Sequence, residues 1–179
     1  MRITAGEFRS RKVNVLDVKG LRPTSSKVRE ALFNIMGDIQ SMHILDLFSG
    51  SGVMAIEALS RGAASVTSIE QHHKACRNLH AISEQFDVHE RWHIKRDILP
   101  KALHHLRQKT FDWVFADPPY DCGMAEKIPL WLTQANIETT SLVIEESIRA
   151  KPKWPQDWQV SSRKYGDTHL HFLHKDAQP

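Results

Sequence analysis

Asp117-Pro118-Pro119-Tyr120 closes the apolar run Phe111-Asp112-Trp113-Val114-Phe115-Ala116 and brings together four residues suited to one task. The two prolines fix φ and lack an N–H, so the backbone leaves the strand rigidly, with carbonyls that no ladder partner claims. A carboxylate and a nearby projecting carbonyl can together accept both protons of one planar NH₂ group. The aromatic ring that follows offers a flat face on which a planar base can stack. Asp117, Pro118, Pro119 and Tyr120 are therefore candidate catalytic residues for chemistry at an exocyclic amine of a nucleobase or at an amide. Taken alone, the tetrapeptide also suits a turn that merely ends a strand.

A second constellation lies upstream in Asp46-Leu47-Phe48-Ser49-Gly50-Ser51-Gly52. Gly50 and Gly52 permit tight turning and close backbone approach to a ligand, and the helix expected to follow presents a positive end. Glu70 closes the next apolar run 18 residues after Gly52, where a carboxylate can take both hydroxyls of a ribose. A dinucleotide dehydrogenase would use Gly50-x-Gly52-x-x-Ala55 in the same way. However, Asp46, an extra carboxylate in the loop, would repel a pyrophosphate, whereas it suits the ammonium of a methionine moiety. Asp97, at the end of a third strand, is placed to reach an adenine amine. Asp46, Phe48, Ser49, Gly50, Gly52, Glu70 and Asp97 thus form a candidate site for S-adenosylmethionine, a sulfonium cation with an amino-acid tail. Asp-Pro-Pro-Tyr supports that choice, since no hydride transfer needs it.

The elements that must hold these residues alternate along the chain. Strands are expected at His43–Phe48, Ser65–Glu70, Trp92–Lys95, Phe111–Ala116 and Leu142–Glu145. Helices are expected at Val53–Ser60, His72 to about Phe86, Leu99–Leu106 and Met124–Thr133. That rhythm predicts an α/β fold, a mostly parallel sheet with helices on both faces. Trp158–Lys164 and Leu170–His174, joined by Tyr165-Gly166-Asp167-Thr168, predict an antiparallel C-terminal hairpin at the sheet edge. Upstream, Arg2–Phe8 and Arg11–Val15 predict a small hairpin. Val28–Met36 predicts a helix capped by Ser25 or Ser26 and stopped by Gly37.

The 179 residues fit one domain, divided here into an extension over residues 1–40 and a core over 41–179. Hydrophobic content of 41% and charged content of 25% are ordinary for a globular protein. No apolar stretch reaches the ~20 residues of a membrane span, and the N-terminus lacks a signal-peptide core, so a cytoplasmic protein is expected. Cys76 and Cys122 are far apart and suggest neither a disulfide nor a thiolate zinc site. His72-His73 and His104-His105 would diverge on helices, and His169 and His171 lack an obvious third ligand, so no metal is expected. Residues 1–29 carry eight Lys or Arg against Glu7 and Asp17, a net +6, which leaves −3 for the remainder. A basic arm on a mildly acidic body suggests a polyanionic partner.

The chain resembles the bacterial 16S ribosomal RNA guanine-N2 methyltransferase family over nearly its whole length. The resemblance runs through the Met-Arg-Ile-x-Ala-Gly opening, Leu21-Arg22-Pro23-Thr24 and Val28-Arg29-Glu30-Ala31-Leu32-Phe33-Asn34. It continues through Leu45–Gly52, Ile56–Ala63, Asp117–Tyr120 and Tyr165-Gly166-Asp167-Thr168. Asp-Pro-Pro-Tyr alone is shared by adenine, cytosine and glutamine N-methyltransferases, whereas the Arg-Pro-Thr…Val-Arg-Glu-Ala-Leu-Phe-Asn segment is far more specific. The resemblance implies a Rossmann-like class I methyltransferase with a seven-stranded sheet. It implies S-adenosylmethionine as donor and a guanine of the small ribosomal subunit as target, with a monomer as the default state. By the same resemblance, Arg22, Thr24, Arg29 and Tyr165 are candidates for contact with substrate RNA. Ser25-Ser26-Lys27 stands where many relatives carry Thr-Asp-Arg, which makes this arm more basic. The competing readings are an adenine-N6 DNA methyltransferase, for which the chain has no room for a target-recognition domain, and a non-catalytic RNA-binding protein.

Overall fold

A computed structural model describes residues 1–15, 25–139 and 141–175. Seven strands, β1 His43–Leu47, β2 Ser65–Glu70, β3 Trp92–Arg96, β4 Trp113–Ala116, β5 Ser141–Ser147, β6 Gln159–Tyr165 and β7 Thr168–His174, form one sheet. Their order is β3-β2-β1-β4-β5-β7-β6. The first five are parallel, while β7 runs antiparallel between β5 and β6. The order reverses between β1 and β4, and ligands of open α/β sheets bind beyond the strand carboxyl ends at such a switch. The two candidate constellations follow β1 and β4, on either side of it.

Alternation along the strands sends side chains to two separate cores. Ile44, Val66, Phe115, Val143 and Phe172 face one layer, built with α1 Ser26–Met36, α2 Val53–Ser60 and α3 His73–Gln85. Leu45, Leu47, Val114, Ala116, Leu142 and Ile144 face the other, covered by Leu103, Leu106 and α4 Ile128–Gln134. All eight residues of α2 are buried, as a helix apolar nearly all round must be. Trp158 is buried in the second core, and Trp131 and Trp154 pack against it.

The expected helix Leu99–Leu106 is instead a 3₁₀ segment, Lys101–Leu106, entered from Pro100. The start of the expected Met124–Thr133 helix is likewise 3₁₀ over Ala125–Lys127, before α4. Both pieces are short, the length at which tighter i→i+3 bonding competes with the α form. Ser25 caps α1, its hydroxyl accepting from Val28 N at 3.2 Å, and Gly37 ends the helix at φ 74°. The N-terminal hairpin is reduced to one antiparallel bridge, Arg2 with Lys12. Tertiary contacts hold this segment: Ile3, Phe8 and Val13 are buried in the first core.

Arg29 requires correction as a substrate contact. Its side chain is fully buried, donating through Nε to Glu57 at 3.1 Å and through Nη2 to the Arg2 carbonyl at 2.9 Å. A guanidinium so enclosed has no surface to offer a phosphate. Arg11 is also occupied, lying 4.3 Å from the Phe86 ring centroid and donating to the Gln85 carbonyl. Part of the basic arm is therefore mortar between residues 1–13 and the C-terminal ends of α2 and α3. Arg9, Lys12 and Lys27 remain exposed. Arg22 and Thr24 lie outside the described residues.

Candidate active site

Beyond the carboxyl ends of β1, β2 and β4 opens a cleft of about 410 Å³, a volume suited to a small-molecule ligand. Asp46, Phe48, Ser49, Gly50, Glu70, Asp97, Asp117, Pro118, Pro119 and Tyr120 all line it. Residues separated by up to 74 positions thus share one wall, because parallel strands deliver their carboxyl ends to the same edge.

The loop after β1 is tightly wound. Phe48 and Gly50 have φ of 62° and 51°. For a bulky residue such as Phe48 this left-handed conformation is costly and marks a constrained turn. The turn is held by Ser49, whose N–H donates to the Ile69 carbonyl at 3.0 Å and whose hydroxyl donates to the Asp46 carbonyl at 3.0 Å. Glu70, buried at the end of β2, accepts from Gly50 N at 2.8 Å and from His72 N at 2.7 Å. One carboxylate therefore clamps both loops that border the cleft.

Asp46 lies within β1, inside the expected strand His43–Phe48 and one residue before the tight turn, and is buried. Burial pushes its carboxyl up to about 7, against the opposing pull of Ser49 and Ser68, and the neighbouring Glu70 charge adds to the rise. Asp117 sits across from it. Because β4 and β5 pair Ala116 with Ile144, Asp117 falls beside Glu145 on the sheet face that also carries Asp46. Its pKa is raised well above the ordinary range, first by burial and then by Glu145, Asp46 and Glu146. Crowded carboxylates in a semi-enclosed cleft leave an unmet demand for positive charge or for hydrogen-bond donors.

Among the described residues, no donor reaches the Asp117 carboxylate or the Pro118 carbonyl. Two good acceptors at adjacent positions therefore face the cleft with their capacity unspent. Tyr120 is anchored at its far end: its hydroxyl lies 2.9 Å from Glu145 Oε1 and 3.0 Å from Thr168 Oγ1, leaving the ring against the cleft. Burial raises its pKa, so the phenol keeps its proton.

Three expected site residues take other roles or positions. Gly52 does not line the cleft; it starts α2 at φ 75°, and a Cβ there would stand 2.3 Å from Leu79 Cδ2. Its glycine serves packing and turn geometry. Asp97 reaches the wall, but its carboxylate accepts from Ile98 N at 2.8 Å and from Lys101 at 3.3 Å, and the Ile98 N–H leads in holding its pKa down. Tyr165 is half-buried against the first core and does not line the cleft.

The sequence reading missed Ile98, Leu99, Met54, Phe115 and Met124, which supply apolar wall. Only the adjacency of Ile98-Leu99 to Asp97 was visible in the sequence; that Ile98 is 55% exposed is known from the fold alone. A large apolar side chain left open to water beside a polar anchor is what a flat ring requires.

His171 is buried, with Nδ1 2.7 Å from Ser162 Oγ, and no group of three metal-ligating side chains forms among the described residues. Within those residues no helix is long and apolar enough to cross a membrane.

The family described as conserved hypothetical protein 95 matches residues 1–174. The chain is 37% identical over 174 residues to a Haemophilus influenzae protein named ribosomal RNA small subunit methyltransferase D, covering 92% of this chain and 88% of the relative. It is 33% identical over 192 residues to the Escherichia coli K12 protein of the same name, covering 99% and 91%. The solved structure of Escherichia coli yhhF aligns with a TM-score of 0.86 at 29% identity over 99% of both chains. An RNA methyltransferase from Salinibacter ruber, solved with S-adenosyl-L-homocysteine, aligns with a TM-score of 0.66 at 16% identity. It covers 88% of this chain and 97% of its own, and at that distance it shares the fold alone. The sheet order and these neighbours together make this a class I methyltransferase fold.

Proposed function

Because the chain belongs to the conserved hypothetical protein 95 family, alongside proteins named ribosomal RNA small subunit methyltransferase D, we propose that it methylates the exocyclic N2 amine of a guanine in 16S ribosomal RNA. The observation that carries the reading is the pair of unspent acceptors, the Asp117 carboxylate and the Pro118 carbonyl, at one wall of an acidic cleft.

The guanine N2 lone pair is delocalised into the ring, which makes the amine a poor nucleophile. Hydrogen bonds from both its protons to Asp117 and Pro118 favour a pyramidal nitrogen and aim its lone pair. Tyr120 gives the base a face to stack on once the base has left its RNA helix. The nitrogen becomes acidic only as its new bond forms, so no strong base is needed, and positioning supplies most of the acceleration.

S-adenosylmethionine fits the cleft on charge, and when bound it supplies an electrophilic methyl group on a sulfonium. Asp46 is suited to its ammonium, Glu70 to its ribose, and Ile98 with Leu99 to the adenine faces. A carboxylate raised by burial is relieved when a cation arrives. A partly or fully assembled small subunit suits so small a protein better than naked RNA, since one short domain offers little surface for reading sequence.

The test uses purified protein, radiolabelled S-adenosylmethionine and small subunits from cells lacking this gene, followed by mass spectrometry of the nucleosides. One N2-methylguanosine formed by wild type and absent with D117A is the expected result. With genomic DNA from the same cells as a second substrate, label recovered instead as N6-methyladenine in that DNA would reject the RNA substrate, and wild-type turnover by D117A would reject the assigned chemistry.

A further inference from the structure

The hairpin motif Tyr165-Gly166-Asp167-Thr168 lies outside the cleft wall, yet its last residue reaches into the site. Thr168 opens β7, and its hydroxyl lies 3.0 Å from the Tyr120 hydroxyl, 48 residues away in sequence. Glu145, buried in β5, accepts a hydrogen bond from the Tyr120 hydroxyl at 2.9 Å. A phenol has one proton to give, and with that proton directed at Glu145 its oxygen can only accept from Thr168. The chain of donation therefore runs from Thr168 to Tyr120 to Glu145. Register explains the meeting: Ser147 pairs with Thr168 and Glu145 with Leu170, so β5 and β7 bring their site ends together. The Ile148 N–H donates to the Asp167 carbonyl at 3.1 Å and fixes the turn to the end of β5.

We propose that Thr168 is a positioning residue which, with Glu145 as acceptor, fixes the Tyr120 ring for stacking on the target base. The inference rests on the reading of Tyr120 as the base platform. An untethered ring on the segment after Pro119 could turn about χ1 and χ2, and each turn would remove the stacking face. Two hydrogen bonds from two different strands leave one orientation. The hairpin added at the end of the chain is thereby part of the active site without touching substrate.

The test combines kinetics with a readout that needs no substrate. The chain has only two tyrosines, Tyr120 and Tyr165, so fluorotyrosine-labelled protein gives two fluorine resonances, assigned through Y120F. With T168V, the Tyr120 resonance should move towards its unfolded position and kcat should fall on the order of threefold to tenfold, the equivalent of one hydrogen bond. The KM for S-adenosylmethionine should stay unchanged, and T168S should restore both readouts. Y120F/T168V should be no slower than Y120F alone, because the hydroxyl through which Thr168 acts is already gone. An unmoved Tyr120 resonance in T168V, or losses that multiply in the double variant, would overturn the inference. If wild type methylates no RNA, the proposed function fails, and the fluorine shift still decides whether Thr168 orients Tyr120.

Discussion

Arg29 and Glu57 form an ion pair at 3.1 Å with both side chains buried, and it joins α1 to α2 beneath the N-terminal segment. Glu57 also accepts from Thr4 N at 3.0 Å, Ala5 N at 3.1 Å and Arg61 Nε at 3.0 Å, with a further bond from the Thr4 hydroxyl. E57A should therefore destabilise the fold by about 3–5 kcal/mol, since it strands a buried guanidinium. Chemical denaturation measures this, and a loss under about 1 kcal/mol, the scale of an exposed pair, would show that the network is dispensable.

Asp46 makes the ligand-free protein sensitive to pH. Its carboxyl holds a proton up to about 7 when folded, against 3.8 when free. The folded form therefore binds more protons than the unfolded form between those values, and stability falls as pH rises through that window. D46N should flatten the dependence and raise stability at neutral pH, as followed by thermal melts, while weakening S-adenosylmethionine binding. For wild type, affinity for that cation should fall about tenfold per pH unit below 7. A Kd constant from about pH 6 to pH 8 would separate Asp46 from the cation.

Glu70 clamps Gly50 and His72 and lines the cleft. E70A should weaken S-adenosylmethionine binding through both the lost ribose acceptor and the loosened loop, by about 2–4 kcal/mol for two charge-assisted bonds. Calorimetry giving the wild-type Kd would remove Glu70 from the site.

Gly52 is held by packing. In G52A the new methyl would meet Leu79 Cδ2 at 2.3 Å and Trp92 at 3.0 Å with φ at 75°. Overpacking of this kind costs about 1–3 kcal/mol, with about 1 kcal/mol more for the left-handed backbone. The melting temperature should drop clearly, and an unaltered melt would mean that the start of α2 can shift.

Asp-Pro-Pro-Tyr, the glycine loop and the alternating apolar runs were legible because each has a local cause: fixed φ, an absent Cβ, or a period of burial. The β-α rhythm led to the sheet, and the expected cofactor carboxylates Asp46 and Glu70 do meet in one cleft. What could not be read depends on long-range partners. Arg29 looks like an RNA contact in a basic run, and only the fold puts Glu57 against it. Gly52 fits a ligand-loop pattern, while its neighbours Leu79 and Trp92 come from α3 and β3. Thr168 reads as turn residue until β5 and β7 are paired.

The sheet order also sets a timetable. β7, last in sequence of the seven strands described, is an inner strand between β5 and β6, so β5 keeps an open edge until residue 174 is available. A nascent chain can close the cofactor half from β1 to β4 early, yet it must wait for its final strand before Tyr120 gains its tether. An unpaired edge on a chain still being synthesised invites misassociation. A premature stop before Thr168 should thus yield a sticky, catalytically blunted product, which gives the seven residues of β7 an importance out of proportion to their distance from the chemistry.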